Sequence, residues 1–129
     1  MRLYRGLTRP FRPDRVAVPF QPGTPAGTNG TDFTECPLAA LGYARGRRGV
    51  VLVIDLPEPL PRWVSEEYWG DSVARRLMLW RPFHEYLVAE IPAQELRAVV
   101  RRKGVAATSD DYKSHLLERH IEQRLTSSR

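Results

Sequence analysis

The sequence holds one cysteine, Cys36, and no apolar run approaching the roughly 18 residues of a membrane-spanning helix. A lone cysteine forms no internal disulfide, and Met1 to Phe11 lacks the apolar centre of a signal peptide. These absences point to a soluble protein of a reducing compartment that engages no membrane, with Cys36 a small apolar filler near a helix start. No Gly-x-Gly-x-x-Gly, phosphate-binding loop, nucleophile elbow or Cys/His cluster occurs, which removes the common dinucleotide, nucleotide, hydrolase and zinc signatures. The histidines do not replace them. His84 lies among strand-like residues, while His115 and His120 are five positions apart and so on different faces of a helix. No metal is expected.

What the chain does hold is arginine. Eighteen of its twenty basic side chains are Arg, and the net charge is +5. Residues 1–50 carry eight Arg against three acids, whereas the remainder balances twelve against twelve, so by position the excess sits in the N-terminal part. Such a region attracts nucleic acid or a smaller anion such as a dinucleotide pyrophosphate, or it is plain solvated surface. At 129 residues a single domain over 1–129 is expected. A chain of that size buries about two thirds of its unfolded surface.

Arg2–Thr8 alternates large and polar side chains around Gly6 and reads as a first strand. Pro10, Pro13, Pro19, Pro22 and Pro25 make Arg9 to Asn29 a long loop, with a short extended piece over Val16–Phe20 and with Phe11 and Phe20 as ties to the body. That loop is expected to flank a cleft, with Arg9, Arg12 and Arg15 facing an anionic acceptor. Next come a short strand ending at Thr34, a helix that Pro37 begins and Gly46 ends, and an apolar run, Val50 to Leu56, covered on both faces and stopped by Pro57. Ser65 with Glu66 and Glu67 has the look of a helix start, and Val73, Leu77 and Trp80 at helical spacing place a surface helix over Asp71–Leu79. Phe83–Ile91 reads as a strand, Pro92–Leu96 as a turn and Arg97–Arg102 as another short strand. Thr108 and Asp111 give a capping-box-like start to a last helix. Its stripe is Leu117, Ile121 and Leu125, helped by Tyr112 and Leu116, and it frays from Thr126. The order of elements implies α+β, a mostly antiparallel β core with peripheral helices.

Three pieces of this pattern matter together. LYRGL at Leu3 to Leu7 resembles the first-strand signature of ADP-ribosyltransferases of the Arg-Ser-Glu type. TDFTECPLAALGYA at Thr31 to Ala44, followed by VLVIDLP, resembles that superfamily's second strand, helix and next strand. FHEYLVAEIP at Phe83 to Pro92, with LRAVV after it, resembles the strand that begins with the catalytic glutamate. The resemblance implies a split, ADP-ribosyltransferase-like sheet and a mono-ADP-ribosyltransferase that uses NAD as substrate, releases nicotinamide and modifies a macromolecular acceptor, protein or nucleic acid.

Residue by residue, the resemblance gives Arg5 a phosphate of NAD and gives Glu85 the nicotinamide ribose and the positive charge that develops there. Thr34 takes the hydroxyl position of the middle motif, with Asp32 as the alternative for that position. Gly6, Asp32, Phe33 and Tyr43 join the cofactor site, and Trp80 and Phe83 precede the glutamate where the family contacts its acceptor. Each has a plainer reading: an edge-strand arginine, an exposed strand glutamate with Glu90 as a shifted register, a helix-capping threonine, and core aromatics. The family's Ser-Thr-Ser is Asp32-Phe33-Thr34 here, and Phe83 stands where arginine-modifying members carry Gln or Glu, so protein arginine is a doubtful target. Size and family together fit a toxin, or a phage or host-modifying enzyme, that is cytoplasmic or delivered into a target cell's cytoplasm, with an antitoxin as a further partner. The rivals are an NAD glycohydrolase, an RNA 2′-phosphotransferase-like fold and a non-enzymatic basic module for RNA or DNA.

Overall fold

The computed structural model describes residues 1–11, 31–67, 76–81 and 83–127. The expected extended piece Val16–Phe20, Arg12, Arg15 and most of the long loop lie outside them. The elements are β1 (Arg2–Leu7), β2 (Thr31–Thr34), α1 (Pro37–Tyr43), β3 (Val50–Asp55), β4 (Val64–Glu67), β5 (Arg76–Leu79), a 3-10 turn (His84–Tyr86), β6 (Leu87–Pro92), α2 (Ala93–Val100) and α3 (Asp110–Ser127). The strands form one six-stranded sheet in the order β4-β5-β2-β1-β3-β6. Every neighbouring pair in it is antiparallel. The architecture is α+β, as the pattern of the sequence implied.

β3 explains the two-sided core. Val51 and Val53 face a layer with Tyr4, Ile91 and the three helices, while Val50, Leu52 and Ile54 face a second layer with Leu3, Phe33, Leu77, Leu79 and Phe83. A strand buried on both faces reads as a continuous apolar run because period-2 alternation has no polar side to show. The second layer is closed by aromatic rings, with Phe83 edge-on to Phe33 at 5.0 Å and tilted against Phe11 at 5.6 Å. In the first layer α3 contributes Leu117 and Ile121, both fully buried, and burial of each such side chain is worth about 1.5–3 kcal/mol.

Three expectations fail for one reason. The helix start at Ser65 is β4, residues 76–79 of the surface helix are β5, and the strand Arg97–Arg102 with its preceding turn is α2. Short apolar runs satisfy both periods, and the tertiary partner chooses between them. Leu77 fits helical spacing with Val73 and Trp80 but also alternates with Leu79, and β5 finds two strands to pair with, β2 and β4. Conversely Ala93, Leu96 and Val99 recur at three-residue intervals and are all buried beneath α2. Glu85 is likewise displaced from the expected strand into the 3-10 turn that precedes β6. α3 starts one residue later than the capping box implied. The Ser109 hydroxyl accepts the Tyr112 N–H at 3.3 Å, whereas Thr108 donates to the Val105 carbonyl. Tyr112 is 47% exposed and adds nothing to the buried stripe. The helix also continues through Thr126 to Ser127, with the Thr126 hydroxyl donating back to the Glu122 and Gln123 carbonyls.

α1 has only seven residues, too short to hold as a helix without tertiary contacts. Two glycines supply them. A Cβ at Gly6 would stand 2.0 Å from the Ala40 carbonyl oxygen, and one at Gly49 2.3 Å from that of Ala44, so the helix backbone lies directly on β1 and on the turn before β3. Ala40 and Ala44 complete a contact between small residues. At an ordinary strand position Gly→Ala gains about 0.5–1 kcal/mol. Here the sign reverses: Gly6→Ala must push α1 away, at the ~1–3 kcal/mol or more of an overpacked core. Urea unfolding followed by circular dichroism should show a lowered midpoint, and an unchanged or raised one would mean that α1 does not bear on β1.

Candidate functional site

The sheet is unevenly joined. β1 meets β3 over the full strand, Arg2 opposite Asp55 through Leu7 opposite Val50, but meets β2 at Tyr4 opposite Thr34 alone. Past that pair the two strands part, and α1 lies against the gap. A cleft of about 400 Å³ opens there, lined by Arg5, Gly6 and Thr8 from β1 and its end, Asp32, Phe33 and Thr34 from β2, Tyr43 from α1 and Arg76 from β5.

Two guanidinium groups enter this cleft, each held by a partner that a ligand can displace. Arg5 Nη1 donates to the Asp32 carbonyl oxygen at 2.9 Å and to its carboxylate Oδ1 at 2.6 Å. Arg76 sits beside Thr34 in register, donates from Nη2 to the Tyr43 hydroxyl at 2.9 Å, and lies 5.8 Å from the centre of that ring. The exposed Arg5–Asp32 ion pair is worth roughly 0–1 kcal/mol. Thr34 is buried, and its Oγ1 accepts the Cys36 N–H at 3.1 Å. Its own proton remains to donate, since a hydroxyl offers one donor and two acceptor sites. Thr34 therefore does not cap α1, whose N-cap is Cys36 with no side-chain cap bond; its hydroxyl holds a two-residue turn just before the helix.

Tyr4 forms part of the cleft wall and of the first core layer. Burial, seconded by Glu118, pushes its phenol up to about 12. Because the folded state holds this proton more tightly than the unfolded chain, the stability involved is present below about pH 10 and is lost as pH rises through about 12. Unfolding free energy measured from pH 9 to 12 should fall for the parent chain. Tyr4→Phe should flatten that fall, and an unchanged profile would place the titrating group elsewhere. On the same face of β1, two residues away, Arg2 is bidentate to Asp55 and bonded to Glu122 of α3, and the bond to Asp55 holds its guanidinium pKa above the ordinary value.

The structure gathers six of the expected site residues, Arg5, Gly6, Asp32, Phe33, Thr34 and Tyr43, into this one cleft. Gly6 is there for the close approach of α1, whatever else it does. Three expected residues are elsewhere. Glu85 is exposed in the 3-10 turn and is not among the residues lining the cleft. Phe83 is 1% exposed inside the second core layer and offers no face to an acceptor. Trp80 is half-buried, its indole N–H donating to the Ser65 hydroxyl at 2.9 Å. Glu90 lies in register with Leu52 and Arg5 across β3 and accepts the Phe11 N–H at 2.7 Å. Helical spacing over 76–79 does not point to Arg76, which the strand β5 brings into the cleft beside Thr34. The alternation of Leu77 and Leu79 was the signal that would have placed it on a strand beside Thr34.

Comparison of the chain with protein-family models, with curated proteins and with solved structures found no match. Two forked cations on neighbouring strands, a donor hydroxyl between them and an exposed ring at the rim suit a diphosphate carrying a flat group. Calorimetry with inorganic pyrophosphate should detect binding, and Arg5→Ala and Arg76→Ala should each weaken it by about 1.5–3 kcal/mol. Affinity equal to the parent's in both variants would show that the cleft is not the anion site.

Proposed function

We propose that the chain is a mono-ADP-ribosyltransferase that binds NAD in the cleft between β1, β2 and α1 and passes ADP-ribose to a macromolecular acceptor. The observation that carries this reading is the convergence of Arg5, Thr34 and Arg76 on one cleft at the point where the sheet is joined by a single residue pair. That weak join divides the sheet into β4-β5-β2 and β1-β3-β6, which supports the split form implied by the sequence resemblance. Arg5 and Arg76 hold the pyrophosphate, Thr34 donates to a ribose or phosphate oxygen, and the ring of Tyr43 packs on a base.

In the reaction the bond from the nicotinamide nitrogen to the ribose carbon breaks, and nicotinamide leaves with the electron pair. The acceptor's nucleophilic atom bonds to the same carbon and gives up its proton. Positive charge develops on the ribose in between, and a carboxylate stabilises it. The binding half of this reading rests on the cleft, whereas the assignment of the carboxylate to Glu85 rests on the motif. The turn that holds Glu85 is tied to the cleft wall through Phe83 against Phe33. Asp32 is the carboxylate within the cleft, and it is engaged with Arg5.

One pair of variants separates the two. Glu85→Gln should bind NAD like the parent and release nicotinamide about a hundredfold more slowly or worse, the loss of an interaction made in the transition state. Asp32→Asn should bind NAD at least as tightly as the parent, because it releases Arg5 for phosphate. If Asp32→Asn is the inactive variant and Glu85→Gln is not, the catalytic carboxylate is Asp32. If labelled NAD with cell lysate yields neither labelled macromolecule nor nicotinamide, the transferase reading falls. Nicotinamide release without labelled macromolecule makes the chain an NAD glycohydrolase.

A further inference from the structure

The fold gathers a cationic surface from two segments that are about fifty positions apart in the chain. The turn between α1 and β3 carries Arg45, Arg47 and Arg48, and the end of α2 with its continuation carries Arg97, Arg101, Arg102 and Lys103. Arg97 locks the two together, donating from Nη1 to the Ala44 carbonyl and from Nη2 to the Gly46 carbonyl, both at 2.9 Å. The Ala93 N–H, at the start of the same helix, donates to the Gly49 carbonyl at 2.8 Å, so α2 runs alongside the turn. Arg101 follows Arg97 by one helical turn, about 6 Å along the axis.

The other six cations are exposed, and none makes an ion pair among the described residues. The nearest acid in sequence, Glu95, is engaged by Arg124 and His120 of α3. Asp110 and Asp111 open α3 at the far end of α1, where Ser114 meets Cys36 at 3.3 Å. Seven of the twenty basic side chains thus lie together, more than the whole net charge of +5, so the rest of the chain is net acidic. β1 ends beside this turn, since Leu7 pairs with Val50, and it brings exposed Arg9 toward it.

We propose that the α1–β3 turn and the end of α2 form a binding surface for the phosphate backbone of a nucleic acid. Guanidinium groups with no acid partner, spread over two rigidly joined elements, match a line of phosphates, and they release condensed counterions when they meet one. A single small anion would engage two or three of them and leave the others in mutual repulsion. Tyr43, which lines the cleft, is two residues from Arg45, so a strand on this surface passes the cleft's rim. For the reaction proposed above this names nucleic acid as the acceptor class. That step rests on the NAD reading, whereas the binding itself does not.

The test uses the full chain without NAD and 20-nucleotide fluorescent probes of single-stranded RNA, single-stranded DNA and duplex DNA. Anisotropy titrations between 50 and 200 mM salt should give binding whose log affinity falls against log salt with a slope of about −4 for six contacts to a single strand. The triple variants Arg45→Gln/Arg47→Gln/Arg48→Gln and Arg101→Gln/Arg102→Gln/Lys103→Gln should each lose roughly tenfold or more in affinity and flatten the slope by about 2. Arg97 is left in place because it holds the turn. The control triple Arg62→Gln/Arg81→Gln/Arg119→Gln, equal in charge change and exposed elsewhere, should bind like the parent. Which probe binds best identifies RNA or DNA. The proposal is overturned by no binding at 50 mM salt, by an equal loss in the control triple, or by tighter binding to phosphatidylserine vesicles than to any of the probes. Oligonucleotide binding without nicotinamide release would keep this surface and discard the transferase, and the reverse result would do the opposite.

Discussion

Two absent β-carbons set the geometry on which everything else depends. At Gly6 and Gly49 the backbone of α1 comes to distances that no side chain allows. A two-turn helix is thereby pressed flat on β1, where it covers the gap that β1 and β2 leave beyond Tyr4 and Thr34. A Cβ at Gly6 would push α1 off β1, and one at Gly49 would open the turn that leads from α1 to β3. Both the cleft and the basic surface lie at the C-terminal end of this one short helix, the first through Tyr43 and the second through Ala44.

The electrostatics of the two surfaces follow different rules. In the cleft each cation already has a neighbour, Asp32 for Arg5 and Tyr43 for Arg76, and both pairs are open to water. Such pairs hold side chains in place for little energy, so they preorganise a site without competing strongly with a phosphate. On the α1–β3 turn and the end of α2 the cations face solvent without acids, which costs repulsion that a polyanion relieves. The remaining ionic contacts are architectural. Arg2 ties β1 and β3 to α3 through Asp55 and Glu122, and Glu95 ties α2 to α3 through Arg124 and His120.

NAD chemistry needs a place for two phosphates and a carboxylate near the reacting ribose. In the proposed reading Arg5, Thr34 and Arg76, from three strands, would serve the first need. The two carboxylates proposed for the second need differ in kind: Glu85 belongs to a motif and is not among the residues lining the cleft, while Asp32 lines it and is paired with Arg5.

Short-range pattern carries the elements whose period is unambiguous. The both-faces burial of β3 is legible as an apolar run, α1 as a segment between Pro37 and Gly46 and α3 as an i, i+4 stripe, while the resemblance of motifs, not pattern, grouped Arg5, Asp32 and Thr34, which line one cleft. The sequence by itself could not decide between helix and strand for Val64–Glu67, Arg76–Leu79 and Ala93–Val100, because runs of four to eight residues fit both periods until a neighbouring strand or a buried face selects one. Charge counted along the chain placed the positive excess in residues 1–50. The tertiary structure placed it instead where the α1–β3 turn meets α2. Arg76 in the cleft, Phe83 in the core, Glu85 outside the cleft and the meeting of Arg45–Arg48 with Arg97–Lys103 were all decided by which strands pair and how closely α1 packs, since side chains distant in sequence share a surface only once backbone contacts have fixed it.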